Sequence, residues 1–240
     1  MKLAPSLHRV GNDIVAAYLV EDPTGVTVID AGVSGQWREL LDELQAMGRS
    51  IADVRAVLLT HGDTDHIGFA ERLRREANVP VYVHVADAAR ARGETKPSIS
   101  WGKVRIGPLL RFLWYAGRRG GLRTTYRTDV RPLAGGETLD LPGAPIVIPV
   151  PGHSPGSVAY HLPGVDAVFV GDALTTGPHV LTGEPGPQPA PFTDDPAPAI
   201  ASLARIEATG ARWVLPGHGV PWDGGAAAAV RQVRARTAQA

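Results

Sequence analysis

Short apolar runs alternate along the chain with amphipathic stretches, and residues that favour turns separate them. The apolar runs have the length of strands, whereas the amphipathic stretches carry apolar residues at helical spacing. In the first half this pattern predicts strands at 14–20 and 26–30 around a hairpin turn at 22–25, a helix at 37–47, a strand at 54–60, a helix at 67–77 and a strand at 81–85. In the second half it predicts strands at 146–150 and 167–170, a helix at 198–209, a strand at 213–215 and a helix at 226–240. This order predicts an α/β fold in which helices cover two packed sheets.

The composition fits one ordinary globular core. The 240 residues suffice for a single two-sheet domain spanning 1–240, and the formal net charge is zero. There is no cysteine, so the chain has neither disulfides nor thiolate metal ligands. The first residues lack the apolar core of a signal peptide, and no apolar run reaches membrane-spanning length. We therefore expect a cytoplasmic protein that has no integral membrane association and does not bind nucleic acid.

Residues 86–134, between the two halves, differ from the rest of the chain. They contain eleven Lys and Arg against three Asp and Glu, whereas the rest contains thirteen against twenty-one. They also include the most aromatic patch of the protein, at 107–117. We interpret this segment as a basic, partly helical cap inserted between the halves. A solvated basic surface with one buried helix, a dimer contact and a helix on a membrane surface fit the same pattern, so the oligomeric state stays open.

The most informative motif is His61-Gly-Asp63-Thr-Asp65-His66, which directly follows the apolar run at 54–60. Its two imidazoles and two carboxylates are spaced so that they can point into one pocket. Polar side chains clustered just after a buried strand are poor material for a core and good material for a metal site.

Three later segments each place a His or Asp in a turn rich in Gly and Pro. They contain His153, Asp172 and His218, each of which follows an apolar, strand-like run. Strand ends that lead into rigid turns are common positions for functional residues. Together the four segments provide seven candidate metal ligands: His61, Asp63, Asp65, His66, His153, Asp172 and His218. Seven ligands are too many for one tetrahedral ion and suit two ions that share a carboxylate.

These motifs resemble those of the metallo-β-lactamase-fold superfamily over residues 10–222. The motif at 61–66 is similar to the family's His-x-His-x-Asp-His, and the family's other landmarks appear in order along the chain around Asp30, His153, Asp172 and His218. The chain departs from the family at Asp63, where the second histidine usually stands. The resemblance implies a four-layer αββα sandwich with its site along one edge and an insert that overhangs the site.

The resemblance also implies how two divalent ions would be held. One ion would be bound by His61, Asp63 and His153, the other by Asp65, His66 and His218, with Asp172 as the bridge. Imidazole and carboxylate donors suit zinc, the ion we expect, and also manganese or iron. Asp63 adds a negative charge and shifts the first site towards a harder cation.

Other residues have supporting roles in this interpretation. Asp65 matches the family's usual proton shuttle to the leaving group. Asp30 ends a strand and is expected to orient a ligand histidine or a turn. His84 and His179 are further candidates for contact with a ligand or the substrate.

The resemblance implies a hydrolase in which a metal-bridging hydroxide cleaves a small ester-like substrate, such as a lactone or thioester. The superfamily also acts on β-lactams, phosphodiesters and sulfate esters, and the fold does not choose among them. The basic, aromatic insert favours a small-molecule substrate that is anionic and has an apolar part. The alternative is an iron-dependent oxidoreductase of the same fold, similar to a mononuclear dioxygenase.

Overall fold

The computed structural model describes residues 1–97, 104–121, 125–126 and 129–238. Two β-sheets pack face to face and helices cover both outer surfaces, which confirms the α/β fold with four αββα layers. The strands are β1 Lys2–Ala4, β2 Leu7–Gly11, β3 Ala16–Asp22, β4 Gly25–Ile29, β5 Val54–Leu58, β6 Val81–His84, β7 Arg131–Leu133, β8 Ile146–Pro149, β9 Val158–Leu162, β10 Ala167–Gly171 and β11 Trp213–Pro216. The helices are α1 Trp37–Ala46, α2 Ala70–Ala77, α3 Ala88–Ala91, α4 Ile106–Arg118, α5 Pro196–Glu207 and α6 Ala226–Thr237.

The two sheets present several strand ends at the same edge of the sandwich. The larger sheet runs from β1 to β7 in chain order, antiparallel as far as β4 and parallel from β4 to β7. The smaller sheet has the order β11-β10-β9-β8, and only β9 runs against its neighbours. Strands β8, β10 and β11 therefore run in one direction. The turns that follow them meet the turn that follows β5, and these four turns carry the candidate ligands.

Apolar side chains fill the space between the sheets and the space under each helical layer. Between the sheets, Tyr18 of β3 and Phe169 of β10 meet edge to face with ring centroids 5.3 Å apart. Leu40 of α1 packs on the larger sheet, and Leu203 of α5 and Val230 of α6 pack on the smaller one. Fully burying one such aliphatic side chain contributes about 1.5–3 kcal/mol, so these three layers hold the edge turns on a rigid base.

Most predicted elements of the framework are confirmed, and the differences have local causes. The helix predicted at 67–77 begins only at Ala70, because the preceding residues form the loop that carries the first motif. Helix α5 begins earlier than predicted, at Pro196, since proline is tolerated in the first turn of a helix. Strand β2 was not predicted because buried His8 and Arg9 interrupt its apolar pattern. These two residues pair with Glu43 and Asp13 at 2.6 and 3.0 Å.

The described part of residues 86–134 contains α3 and α4, which confirms that this segment is partly helical, but it also contains β7, the edge strand of the larger sheet beside β6. One face of α4 packs on the framework: Tyr115 is buried, and its Oη accepts a hydrogen bond from Gln36 Nε2 at 3.0 Å. The opposite face, with Leu110 and Trp114, is exposed. Residues 98–103, 122–124 and 127–128 of the insert lie outside the described residues. None of the helices in the described ranges has the length and apolar character needed to span a membrane.

Candidate metal centre

The seven candidate ligands form one cluster at the edge of the sandwich. The first motif follows β5, while His153, Asp172 and His218 follow β8, β10 and β11. The four candidate histidines and Asp172 are buried. Each candidate ligand therefore lies in a short turn that follows a strand, and the structure brings all seven candidate ligands together.

One part of the cluster, termed the first half-site, consists of His61, Asp63 and His153. Asp63 Oδ2 lies 3.5 Å from His61 Nε2 and 3.4 Å from His153 Nε2. One potential ligand atom from each residue lies within 4.8 Å of the other two. This is the grouping that the family resemblance implies for one ion.

The other part, termed the second half-site, consists of Asp65, His66 and His218. Asp65 Oδ2 lies 3.3 Å from His218 Nε2, and the three potential ligand atoms again lie within 4.8 Å of one another. His66 and His218 are almost inaccessible to solvent, whereas Asp65 is partly exposed.

Asp172 lies between the two half-sites. Its Oδ2 is 3.1 Å from His218 Nε2 and 3.8 Å from His153 Nε2, and its Oδ1 is 3.5 Å from His66 Nε2. A carboxylate that contacts both groups of ligands is suited to bridge two cations.

Unpaired polar atoms in the cluster fit a metal centre. Within the described part of the chain, His61 Nε2, His66 Nε2 and Asp172 Oδ1 are buried and have no hydrogen-bond partner. Leaving a buried polar atom unpaired costs about 1–3 kcal/mol, and a cation among these atoms would remove that cost. The backbone beside the cluster also packs closely against the histidines, because a Cβ on Gly217 would lie 2.3 Å from His66 Cε1. The chain thus uses glycine where its backbone passes directly beside the ligands.

The charges within the cluster favour a cation. Burial alone would raise the pKa of Asp172, but His218 and His66 hold it well below its ordinary value. Burial likewise opposes ionisation of Asp63, while His153, His61 and Arg90 hold its pKa well below the usual range. Burial lowers the pKa of His218, but Asp172 and Asp65 raise it to about 10. The carboxylates are therefore ionised at neutral pH, and a metal ion would replace the proton that such a histidine carries.

Asp30 contacts one candidate ligand directly and a second through Thr60. Its Oδ2 lies 2.9 Å from His66 Nδ1, so that His66 Nε2 faces the cluster. Thr60 Oγ1 lies 2.9 Å from Asp30 Oδ2 and 2.9 Å from His61 Nδ1, which extends the network to His61. Asp30 adopts a left-handed backbone conformation with φ of 58°, which aspartate tolerates better than most residues.

Asp87 joins two ligand turns, and sequence reasoning missed it. This fully buried carboxylate accepts hydrogen bonds from Gly62 N at 2.8 Å, Ser154 Oγ at 2.7 Å and Gly156 N at 2.7 Å. Gly62 adjoins His61, and Ser154 adjoins His153. Asp87 therefore sets the distance between two candidate ligands of the first half-site, although it belongs to no recognisable motif.

Arg90 and Asp194 also contact the cluster and were missed by sequence reasoning. Arg90 Nη2 donates to Asp63 Oδ2 at 2.8 Å, and Arg90 Nε donates to Asp63 Oδ1. Arg90 Nη1 donates to Asp194 Oδ2 at 2.6 Å. The only signal in the sequence was the position of Arg90 shortly after the predicted strand at 81–85.

His84 and His179 make backbone contacts. His84 Nε2 lies 3.1 Å from the carbonyl oxygen of Ala134, and its Nδ1 accepts a hydrogen bond from Ala86 N. His179 Nδ1 accepts hydrogen bonds from Leu181 N and Thr182 N. Burial, together with the charge of His218, lowers the pKa of His179 to about 4, so this ring is neutral and organises its own loop.

A cavity of about 320 Å³ adjoins the cluster. Five of the candidate ligands line it: Asp63, Asp65, His153, Asp172 and His218. Its apolar wall includes Leu113 and Phe112 of α4 together with Val180 and Phe192, and Lys96 contributes a cation. A small molecule with an apolar part can therefore lie between α4 and the candidate ligands.

Comparison with known proteins agrees with this architecture. The chain is 25% identical over 238 residues to the probable metallo-hydrolase YflN of Bacillus subtilis, covering 92% of this chain and 86% of that protein. The structure of the metallo-beta-lactamase family protein TTHA1429 from Thermus thermophilus matches with a TM-score of 0.71 and 22% identity, over 99% of this chain and 81% of that chain, and this match concerns the fold alone. TTHA1623, crystallised in a di-iron-bound form, matches with a TM-score of 0.62 and 32% identity, over 90% and 93% of the two chains.

The sequence profile of the metallo-beta-lactamase superfamily matches residues 10–218, which include all seven candidate ligands. This match spans most of the chain and agrees with the four-layer fold. The protein therefore belongs to the metallo-beta-lactamase superfamily of metal-dependent hydrolases.

Proposed function

We propose that this protein is a binuclear metallohydrolase that cleaves a small lactone or thioester whose apolar part lies against α4. One observation carries the proposal: two groups of donors, each with two buried imidazoles and a partly exposed carboxylate, are joined by Asp172 and adjoin a cavity whose opposite wall is apolar. Donors of this kind suit divalent cations, and the apolar wall suits an acyl or ring carbon skeleton.

We assign the roles of the residues from their positions. His61, Asp63 and His153 would hold one ion, Asp65, His66 and His218 the other, and Asp172 would join them. When bound, two such ions lower the pKa of a water molecule towards neutrality and polarise the bond to be cleaved. Asp65 lines the cavity, and its Oδ2 faces His218. We assign to its ionised Oδ1 a shuttle role, in which it accepts the proton that the attacking water gives up and passes that proton to the leaving group.

The metal itself is part of the proposal. Imidazole-rich sites suit Zn²⁺, and the additional carboxylate of Asp63 suits Mn²⁺ or Fe²⁺ as well. The 32% identical TTHA1623 binds two irons, which supports a binuclear centre here. Elemental analysis of protein purified without added metal or chelator tests this directly, and we expect about two divalent ions per chain. One iron per chain with oxygen consumption would instead support the oxidoreductase alternative.

The substrate class is tested with two series, lactones and thioesters, in which the acyl chain grows by one methylene group at a time. If the chain lies against α4, kcat/KM should rise by about fourfold per buried methylene until the wall is covered. Leu113→Ala should flatten this dependence, because Leu113 lines the cavity. Leu110→Ala is the matched control, since Leu110 is an exposed leucine of the same helix that is not among the residues lining the cavity. A rate that is independent of chain length in the wild type would contradict the proposed binding mode.

The anionic part of the substrate is a separate test. Lys96 lines the cavity, whereas the guanidinium of Arg90 is already paired with Asp63 and Asp194. We therefore assign to Lys96 the contact with an anionic group of the substrate. Lys96→Gln should raise KM for carboxylate-bearing substrates and leave KM for their uncharged analogues unchanged, and equal effects on both would contradict this assignment.

A further inference from the structure

We propose that Arg90 is a positioning residue for the metal centre, and that Asp63 and Arg90 together replace the family's second histidine as one electrically neutral unit. Asp63 supplies the donor atom, while Arg90 cancels its charge and fixes its orientation. This inference rests on the proposed binuclear centre and concerns residues to which the family motif gives no such role.

The geometry of the pair supports this assignment. Arg90 donates from Nε and Nη2 to the two oxygens of Asp63, a two-point contact that fixes the plane of the carboxylate. In this orientation Asp63 Oδ2 points between His61 and His153, at 3.5 and 3.4 Å from their Nε2 atoms. The oxygen held by Arg90 Nη2 is therefore the oxygen that faces the two histidines.

The third contact of Arg90 holds the guanidinium in place. Its Nη1 donates to Asp194 Oδ2 at 2.6 Å, and the Arg90 side chain is only 6% exposed. Removing one partner from a buried ion pair leaves a charge that the protein interior does not compensate. The Asp63–Arg90 pair is therefore part of a largely buried network that includes Asp194. It differs in this from the exposed ion pairs on the helix surfaces.

The backbone of the first motif is also adapted to Arg90. Gly62 lies between His61 and Asp63, and a Cβ at Gly62 would lie 2.9 Å from Arg90 Cβ and 2.7 Å from Ala91 N. Helix α3 can therefore approach the ligand turn only because residue 62 is glycine. The close approach of α3 at Gly62 therefore brings Arg90 to the carboxylate of Asp63.

Charge explains why the two residues need each other. A histidine ligand is neutral when it binds a metal, and the Asp63–Arg90 pair is neutral as well. Histidine at position 63 beside an unchanged Arg90 would leave one additional positive charge within a few ångströms of the first ion. Removing that charge at position 90 should restore binding, so a second substitution is expected to repair the damage done by the first.

The experiment compares wild type, Asp63→His, Asp63→His with Arg90→Met, and Asp63→His with Arg90→Lys. Each metal-free protein is titrated with Zn²⁺ against a chromophoric chelator, and thermal unfolding of the metal-free form checks that each variant is folded. Asp63→His should lower the affinity for the ion in the first half-site by at least about tenfold. The double variant with Arg90→Met should recover most of that lost affinity. The Lys double variant keeps the positive charge and should stay weak, while the affinity for the second ion stays the same throughout.

Each outcome decides the matter. The assignment of Arg90 is wrong if folded Asp63→His binds the first ion as tightly as wild type, or if the Met and Lys double variants bind it equally well. Wild-type protein that binds one ion or none overturns the proposed binuclear centre, and this inference with it. If the wild type binds two ions but Arg90→Met does not restore binding in the Asp63→His variant, only the inference about Arg90 is overturned.

Discussion

The two half-sites use similar donors but are supported in opposite ways. In the second half-site, His66 Nδ1 faces the carboxylate of Asp30 at 2.9 Å, and His218 Nδ1 bonds the carbonyl oxygen of Ile14. In the first half-site, the ligand carboxylate of Asp63 is held by the guanidinium of Arg90. Outside the seven candidate ligands, the charged group in direct contact with a candidate ligand side chain is therefore an anion, Asp30, in the second half-site and a cation, Arg90, in the first.

This difference predicts unequal affinities. A carboxylate behind a ligand histidine makes the imidazole a better donor and strengthens its hold on a metal. A guanidinium on a ligand carboxylate withdraws charge from the donor oxygen and repels the incoming ion. We expect the second half-site to bind its ion more tightly, and the following substitutions test or abolish that inequality.

Asp172→Asn should remove metal binding at both half-sites, and with it the difference in their affinities, because Asp172 contacts both half-sites. We expect both ions to be lost and hydrolysis to fall by about 10³-fold or more, as measured by elemental analysis and steady-state kinetics. Asp166→Asn is the matched control, since Asp166 precedes the same strand at its other end and is exposed. An Asp172→Asn variant that kept two ions would show that another group joins the half-sites.

Asp30→Asn should reduce the advantage of the second half-site. The asparagine keeps the size of the side chain and can still accept from Thr60 N, but it removes the anion beside His66. Loss of such a supporting carboxylate weakens metal binding by about 10- to 100-fold. Zn²⁺ titration should show this loss of affinity for the ion in the second half-site. An equal loss of affinity at both half-sites would contradict the proposed difference between their supporting residues.

Stepwise removal of metal from the wild type tests the inequality without any substitution. Protein loaded with two Zn²⁺ ions is titrated with increasing concentrations of a chelator, and the metal that remains is measured after each step. We expect two release steps separated by about tenfold or more in chelator concentration. Release of both ions in one step would mean that the opposite supports of the two half-sites do not affect affinity.

The candidate ligands could be recognised in the sequence, whereas most of the residues that contact and support them could not. A metal motif that directly follows a strand depends on local spacing, so His61 to His66, His153, Asp172 and His218 were recognisable one segment at a time. Asp30 could also be anticipated, because it ends a strand within a family landmark. Each of these residues lies at the end of a predicted strand or in the turn after it, so its place in the fold could be inferred from that strand.

Arg90, Asp87 and Asp194 contact the site through tertiary packing. Arg90 and Asp87 come from a short segment after β6, and Asp194 precedes α5, so no spacing relates them to the ligands. In the sequence alone, Asp63 adds a negative charge to the first half-site. Only the folded chain shows that the guanidinium of Arg90 contacts Asp63 and offsets this charge.

Asp87→Asn should affect the first half-site and spare the second, the reverse of Asp30→Asn. Both oxygens of Asp87 accept hydrogen bonds from the turns that carry His61 and His153, and an amide nitrogen in place of one oxygen faces donors that it cannot pair. The free energy of unfolding of the metal-free protein should fall by about 1–3 kcal/mol in urea titrations. Because the two turns then move apart more easily, the affinity for the first ion should fall by about threefold to tenfold, with no change in the second. If Asp87→Asn weakened the second ion instead, the half-sites would not be separate units, and the contrast between their supports would not explain their affinities.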